Sequence, residues 1–388
     1  MTGEDDKNRK EEEKEMKLIK LVLVIMAVAV MTLVLGGNAL AFHEEGVAYC
    51  AGCHTMHNSQ DGQAIVESGQ GGYLLRQVDG GSTCLRCHAE YGQRTQTGSG
   101  YGGGGDFYWL TKTFTWSAHG HEAESTGDSH GHNIIAADFG LVKTDGKLGT
   151  KAPGGDYNHE LSCASCHDPH GNENYLLLRG NGDTFHGADF PDAPIAVSPG
   201  RVTNYLSTSN SKAPVSDTLH PAYGSGMSAW CAGCHTDFIN GIGSRMHPAD
   251  VEMNSTYQTN YNYYVSSSNP QGGNPNAAYL EMVPFQTGDT TTDSLDTKST
   301  AGPGAGAQVF CLSCHRAHAS AFPDAGRWFF ESENLSEESH PMAGDGGVTG
   351  DDVINSYYGQ SITSRFGENQ RSLCNKCHLK DLQGGAHG

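Results

Sequence analysis

All twelve cysteines of this chain lie in C-x-x-C-H runs, and no other feature limits its fold as strongly. The six runs are Cys50–His54, Cys84–His88, Cys163–His167, Cys231–His235, Cys311–His315 and Cys374–His378. Composition would give only about 0.02 such runs by chance. Disulfides do not need a histidine after every second cysteine. Zinc ribbons leave the trailing histidine unexplained. Covalent haem attachment accounts for every residue of the pattern. Two thiols form thioethers with the vinyl groups of one haem, and the adjacent histidine falls on its iron. The expected cofactor complement is six covalently bound haem c. The thioether residues are Cys50, Cys53, Cys84, Cys87, Cys163, Cys166, Cys231, Cys234, Cys311, Cys314, Cys374 and Cys377. The proximal ligands are His54, His88, His167, His235, His315 and His378. No cysteine is left for a disulfide, a catalytic thiol or a lipid anchor.

Ahead of these sites stands an export signal. Lys17 and Lys20 supply positive charge, Leu21–Leu35 is apolar apart from Thr32, and Ala39-Leu40-Ala41 is an A-x-A cleavage site. The apolar run is short for a bilayer span. Residues 1–41 are therefore expected to be a signal peptide with an atypical charged leader, Met1–Glu15. Residues 42–388 are expected to form a single hexahaem domain. Haem attachment outside the bacterial cytoplasm agrees with export, and the expected location is extracellular, at the outer cell surface. The formal charge is −20, and −19 without residues 1–41, which hold six basic and seven acidic side chains. Such a surface repels nucleic acid and anionic membrane and argues against both as partners.

Glycine accounts for 52 residues, and hydrophobic residues make up only 36% of the chain. One haem per roughly 58 mature residues is a density at which haem, rather than side chains, forms the core. The expected fold is mostly irregular coil with short helices and few strands, organised around a stacked haem chain, with no ordinary hydrophobic core. Some C-x-x-C-H runs should sit on short helices, because the spacing of the ligands suits a helical turn. Gly98–Gly105, Ser266–Asn276 and Gly288–Ala307 read as loops, tied down at both ends by haem bonds.

Six irons with six proximal histidines need six distal ligands. Of 20 histidines, three share one offset: His57, His170 and His318 each lie three residues after a proximal histidine, following haems 1, 3 and 5 in chain order. A residue three on points past its own haem and can reach a second one packed beside it. If the histidine after haem n binds haem n − 2, His170 serves haem 1 and His318 serves haem 3. His57 is then left without an iron in its own chain, and haem 5 without a donor. The mismatch closes if His57 binds haem 5 of the next copy, a heterologous head-to-tail contact that gives an open filament. His43, His132 and His247 are assigned as a set to haems 2, 4 and 6, with His159, His220 and His340 as competitors. His119, His121, His130, His186 and His387 read as surface residues. With this many histidines, bis-histidine coordination and low potentials are expected throughout, rather than methionine ligation.

The chain resembles the OmcS-type hexahaem outer-surface cytochromes, which polymerise into haem-threaded filaments in metal-reducing bacteria. The matching stretches are "FHEEGVAYCAGCHTMHNS" (Phe42–Ser59), "GGDFYWLTKTFTW" (Gly104–Trp116), "GHNI" (Gly131–Ile134), "CASCHDPHG" (Cys163–Gly171), "YGSGMSAWCAGCHTD" (Tyr223–Asp237), "CLSCHRAHAS" (Cys311–Ser320) and "RSLCNKCHLKD" (Arg371–Asp381). The resemblance implies a mostly coil fold and bis-histidine haems in alternating parallel and T-shaped stacks. It also implies a subunit contact sealed by His57 on the fifth haem of a neighbour. The chain departs from the family in its leader and in shorter loops between haems 3 and 5.

The expected function is electron transfer without catalysis, through a conductive homopolymer. Its expected partners are other multihaem cytochromes and extracellular acceptors such as metal oxides. The rivals are a monomeric periplasmic electron shuttle and a multihaem reductase. A reductase needs an open iron position, often marked by a C-x-x-C-K run, and none occurs.

Overall fold

Glycine-rich segments without sustained periodicity cannot form long elements, and the regular structure is correspondingly brief. In the computed structural model, residues 50–60, 62–66, 74–89, 103–118, 120–199, 215–239 and 248–379 are described. They fall within one unit, Glu45–Gly388. The helices among them are α1 (Cys50–Cys53), α2 (Gly80–His88), α3 (Cys163–Cys166), α4 (Met227–Cys231), α5 (Thr236–Ile239), α6 (Ser255–Tyr263), α7 (Asp352–Ser356), α8 (Ile362–Phe366) and α9 (Asn375–His378). The longest, α2 and α6, have nine residues each. No described helix is long and apolar enough to cross a membrane.

The strands pair as antiparallel two-stranded ribbons. These are β1 (Ser59–Gln60) with β2 (Gln63–Ala64), β3 (Phe114–Ala118) with β4 (His121–Ser125), β5 (Asp183–Phe185) with β6 (Ala188–Phe190), β7 (Ala196–Val197) with β8 (Ala222–Tyr223), and β9 (Val251–Glu252) with β10 (Gln308–Val309). Gln286 links two of them, bridging Tyr223 of β8 and Gln308 of β10. Its buried side chain donates to Asp250 Oδ1 and Gln308 Oε1, both at 2.6 Å.

Capping residues do much of the local organisation. The Asp79 carboxylate accepts from Ser82 N at 2.6 Å to start α2, and its other oxygen accepts from Ala137 N at 2.8 Å. One side chain thus satisfies an open helix end and ties α2 to a segment far along the chain. Asn254 starts α6 in the same way, accepting from Tyr257 N at 3.0 Å.

The coil fold agrees with expectation, but the expected lack of a hydrophobic core does not. Phe107, Trp109, Phe114, Tyr261, Phe322, Trp328, Tyr357 and Leu373 are buried in one continuous cluster. Aromatic side chains carry large apolar areas, about 1.5–3 kcal/mol for each large side chain fully buried. They therefore build a core in segments that have neither helical nor strand periodicity. Tyr261 shows how coil is held against it. Its hydroxyl accepts from Leu280 N at 3.1 Å and donates to Val283 O at 2.7 Å.

Two glycines let backbones meet beside this core. A Cβ on Gly105, whose φ is +97°, would lie 2.0 Å from Ala319 O, and one on Gly131 would lie 2.3 Å from His318 O. No side chain fits either gap. The close approach permits a ladder. His318 N donates to Gly104 O at 2.7 Å, His132 N to His318 O at 2.9 Å, and Ser320 N to His130 O at 3.0 Å.

Candidate haem-binding sites

Each C-x-x-C-H run occupies about one helical turn. The backbone N–H groups of His54, His167, His235, His315 and His378 each donate to the carbonyl of the first cysteine of the run, at 2.8–3.1 Å. The fifth residue thereby comes round beside the first, and both cysteines stay on one side of it. The turns are α1, part of α2, α3, the end of α4, a 3-10 turn at Cys311–Ser313, and α9.

Imidazoles face these turns at a characteristic separation. The ring centroids of His54 and His170 are 6.3 Å apart, those of His167 and His318 are 6.3 Å apart, and those of His235 and His132 are 6.0 Å apart. A metal–nitrogen bond of about 2.0 Å plus about 1.1 Å to the ring centre, taken on both faces of one iron, gives about 6.2 Å. The Trp116–His340 stack is closer, at 4.2 Å, although Trp109–Phe114 and Phe322–Phe329 in the core also lie at 6.3 and 6.5 Å. The first two pairs follow the n − 2 arithmetic, and the third places His132 opposite the histidine of site 4.

Hydrogen bonds leave the outward nitrogen free to ligate. Nδ1 of His167 meets Leu176 O at 2.8 Å, that of His235 meets Pro153 O at 2.7 Å, that of His315 meets Asp324 O at 2.7 Å, and that of His132 meets Ala317 O at 2.7 Å. A carbonyl only accepts, so Nδ1 carries the proton and Nε2 keeps its lone pair, the usual outer-shell arrangement of a ligating histidine. Burial lowers the pKa of His132, His167 and His235, and pushes that of His318 down to about 3. All four are neutral near pH 7, as ligation requires. The buried Nδ1 of His318 lacks a hydrogen-bond partner.

A cavity of 1480 Å³ connects these groups, well beyond the roughly 300–1000 Å³ of an ordinary ligand pocket. Its walls include Cys166 and His167 of site 3, Cys234 and His235 of site 4, and Cys314 and His315 of site 5. Sites 2 and 3 meet where Cys84 and Cys163 come within hydrogen-bonding reach, and sites 4 and 5 meet likewise at Cys231 and Cys311. Successive runs in sequence are therefore neighbours in space. Thiol pairs, facing imidazoles and cavity together fit covalently held haem.

The remaining predicted ligands divide into two groups. His43 and His247 lie outside the described residues. His57 is described and exposed, beside Met56, which is 78% exposed. It makes no hydrogen bond, ion pair or ring contact with any described residue. No imidazole among the described residues faces His315 in the manner of the three pairs; its ring meets Phe330 edge-on at 5.5 Å.

His130, expected at the surface, is fully buried. Its Nδ1 donates to Trp109 O at 2.9 Å and its Nε2 accepts from Ser125 Oγ at 2.6 Å, so burial is offset by two hydrogen bonds. His121 and His186 are exposed, as expected, while His119 and His387 lie outside the described residues. Among the competing ligands, His220 has both nitrogens against carbonyl oxygens, of Pro221 and Ser299, each at 2.9 Å. Sequence reasoning missed the carbonyl acceptors, because a carbonyl carries no residue signature.

No protein-family model matches the sequence. The curated C-type cytochrome OmcS of Geobacter sulfurreducens is 34% identical over 432 residues, covering 91% of this chain and 97% of the relative. The cryo-EM structure of OmcS nanowires from the same organism superposes with a TM-score of 0.70 at 32% identity, covering 87% of this chain and all of that one. A second structure, the outer membrane cytochrome S filament of Geobacter sulfurreducens, gives a TM-score of 0.66 at 31% identity with the same coverage of this chain. Likeness on this scale, spanning nearly the whole of both chains, places the protein in the OmcS family of c-type cytochromes.

Proposed function

We propose that this protein carries six haem c groups and polymerises head-to-tail into an extracellular filament that conducts electrons. Residues 1–41 direct export, and residues 42–388 form the hexahaem unit. Bound haem c supplies reversible one-electron chemistry, and the protein sets spacing, axial ligation and exclusion of solvent. His54 and His170 hold site 1, His167 and His318 site 3, and His235 and His132 site 4. His88 and His378 anchor sites 2 and 6, which His43 and His247 complete. His315 anchors site 5, and the sixth ligand there is His57 of a neighbouring copy.

The observation that carries this reading is a mismatch. Among the described residues His54, His167 and His235 have facing imidazoles and His315 has none, while the exposed His57 meets no described residue; the candidates for His88 and His378 lie outside the described residues. Exchange between copies pairs His57 with site 5. The solved relatives are nanowires and a filament, which supports assembly of this kind. Full six-coordination suits electron transfer rather than catalysis, which needs an open iron position. Other multihaem cytochromes are the fitting donors, and metal oxides the fitting acceptors.

His57→Ala tests the proposal. The expected product retains six covalent haems but stays monomeric in electron micrographs and in light scattering. Filaments of normal length from this variant would overturn the interface.

A further inference from the structure

Beside site 5 lies a buried charge cluster whose bonding the fold only partly satisfies. Glu281, Arg316 and Arg327 are 4%, 2% and 2% exposed. Glu281 Oε1 accepts from Arg316 Nη1 at 2.8 Å and from Arg327 Nη1 at 3.2 Å. Arg327 is also spent on backbone: its Nε donates to Leu312 O at 2.6 Å and its Nη1 to Glu281 O at 2.9 Å. Two guanidinium groups thus share one carboxylate, which leaves a net positive charge out of water. The neighbouring phenols of Tyr223 and Tyr358 do not offset it, since burial raises both above the ordinary tyrosine range.

The unspent bonding capacity belongs to Arg316. Its Nη1 serves Glu281 and, at 3.1 Å, Gly103 O. Its Nε is buried with no partner, and its Nη2 donates to no described residue. The Tyr358 ring covers one face of the guanidinium at 4.0 Å, so the fork is held in place. Arg316 also lines the large cavity together with His132, His167, His235 and His318. A fixed, under-coordinated guanidinium with excess charge is a site for a carboxylate, which it can take through two parallel N–H···O bonds. An unpaired buried charge is otherwise strongly unfavourable.

Granting the haem reading above, we propose that Arg316, braced by Glu281 and Arg327, binds a propionate of a haem in this cavity and raises that haem's reduction potential. Positive charge beside the group favours its reduced, less positive form, and pairing the propionate removes a negative field that would do the reverse. The cluster makes the six sites unequal, with a more easily reduced haem in the middle of the relay.

Spectroelectrochemical titration of the haem-loaded wild type, Arg316→Gln and Glu281→Gln, with haem counted by pyridine haemochrome, tests this. Arg316→Gln should keep six haems and move one haem's share of the titration to lower potential. Glu281→Gln should move the same share to higher potential, because it removes negative charge instead. Opposite shifts support the assignment, since a merely structural role would not reverse sign. Titrations of both variants that superimpose on wild type, or that shift the same way, overturn it while leaving six-haem binding intact. If Arg316→Gln does not accumulate, Glu281→Gln decides alone: an upward shift supports the proposal, and no shift or a downward one ends it. Wild-type protein without covalent haem would instead remove the underlying haem reading.

Discussion

The loops from His54 to His57 and from His315 to His318 carry the same histidine spacing and meet opposite fates. His318 stacks on Phe107 at 4.7 Å, faces His167, and has its backbone bonded to Gly104 and His132. His57 stands exposed next to an exposed methionine. The offset of three residues decides only which way an imidazole points. What covers it is decided elsewhere: by residues 103–107 and 130–132 for His318, and by nothing among the described residues for His57. One local device is thus enclosed in one region and left exposed in the other.

The sharpest probe of this contrast is the spin state of the iron. His318→Ala removes an internal ligand, so one haem should turn high-spin and bind CO in the ferrous form, in monomer and filament alike. In wild-type protein the haem at His315 should bind CO in the monomer and lose that capacity on assembly. CO binding by fewer than one haem in the wild-type monomer would break the comparison.

Next in size is packing. Phe322 is fully buried in the aromatic cluster around the His318 loop, and Phe322→Ala should cost about 3–5 kcal/mol in chemical denaturation. Met56→Ala, beside His57, should change stability by no more than about 0.5 kcal/mol. Equal losses would mean that the two regions are not packed differently.

Glycine substitutions sharpen the contrast further. Gly131→Ala drives a methyl into His318 O and should cost about 1–3 kcal/mol. Gly62→Ala meets nothing within 4 Å, and its φ of +78° alone should cost about 1 kcal/mol. Comparison of thermal midpoints for the two variants, with haem content matched, checks this.

A last, pH-dependent effect concerns the segment that carries Phe107. Lys112 Nζ lies 2.9 Å from Asp352 Oδ2, and Tyr108 Oη donates to Asp352 Oδ1 at 3.2 Å. Burial raises the pKa of Asp352, but hydrogen bonds from Lys112 and Thr349 outweigh it and hold the pKa below the ordinary carboxylate value of 3.8. A carboxyl with a depressed folded pKa contributes stability above its unfolded pKa and loses it as pH falls through the folded value. Asp352→Asn should therefore cost roughly 1 kcal/mol at pH 7 and progressively less below about pH 4. Denaturation midpoints of the two proteins that stay parallel down to pH 2 would remove this link.

Much of the site was legible in the sequence because covalent attachment dictates residue order. C-x-x-C-H is a local code, and the offset of His170 and His318 pointed to the facing pairs seen at His54 and His167. The pairing of His132 with His235 was not legible, since those residues lie 103 positions apart and share no local pattern. The aromatic core was missed for a related reason. Phe107, Phe114, Tyr261, Phe322 and Trp328 recur with no period of two or 3.6, and periodicity is what betrays a core before a structure exists. His130 read as a surface residue because nothing near it in sequence announces the Ser125 hydroxyl and the Trp109 carbonyl that satisfy it.

The ladder joining residues 130–132 to 318–320 has a mechanical consequence. It binds into one rigid piece the two segments that present His132 and His318, the facing groups of adjacent sites. Tension along a fibre built from this protein passes through its links in series, and the weakest link yields first. Inside the molecule the load on these two segments is shared by several parallel backbone bonds. In a fibre joined as proposed above, these two segments therefore move together under load and keep the spacing of the two sites they serve.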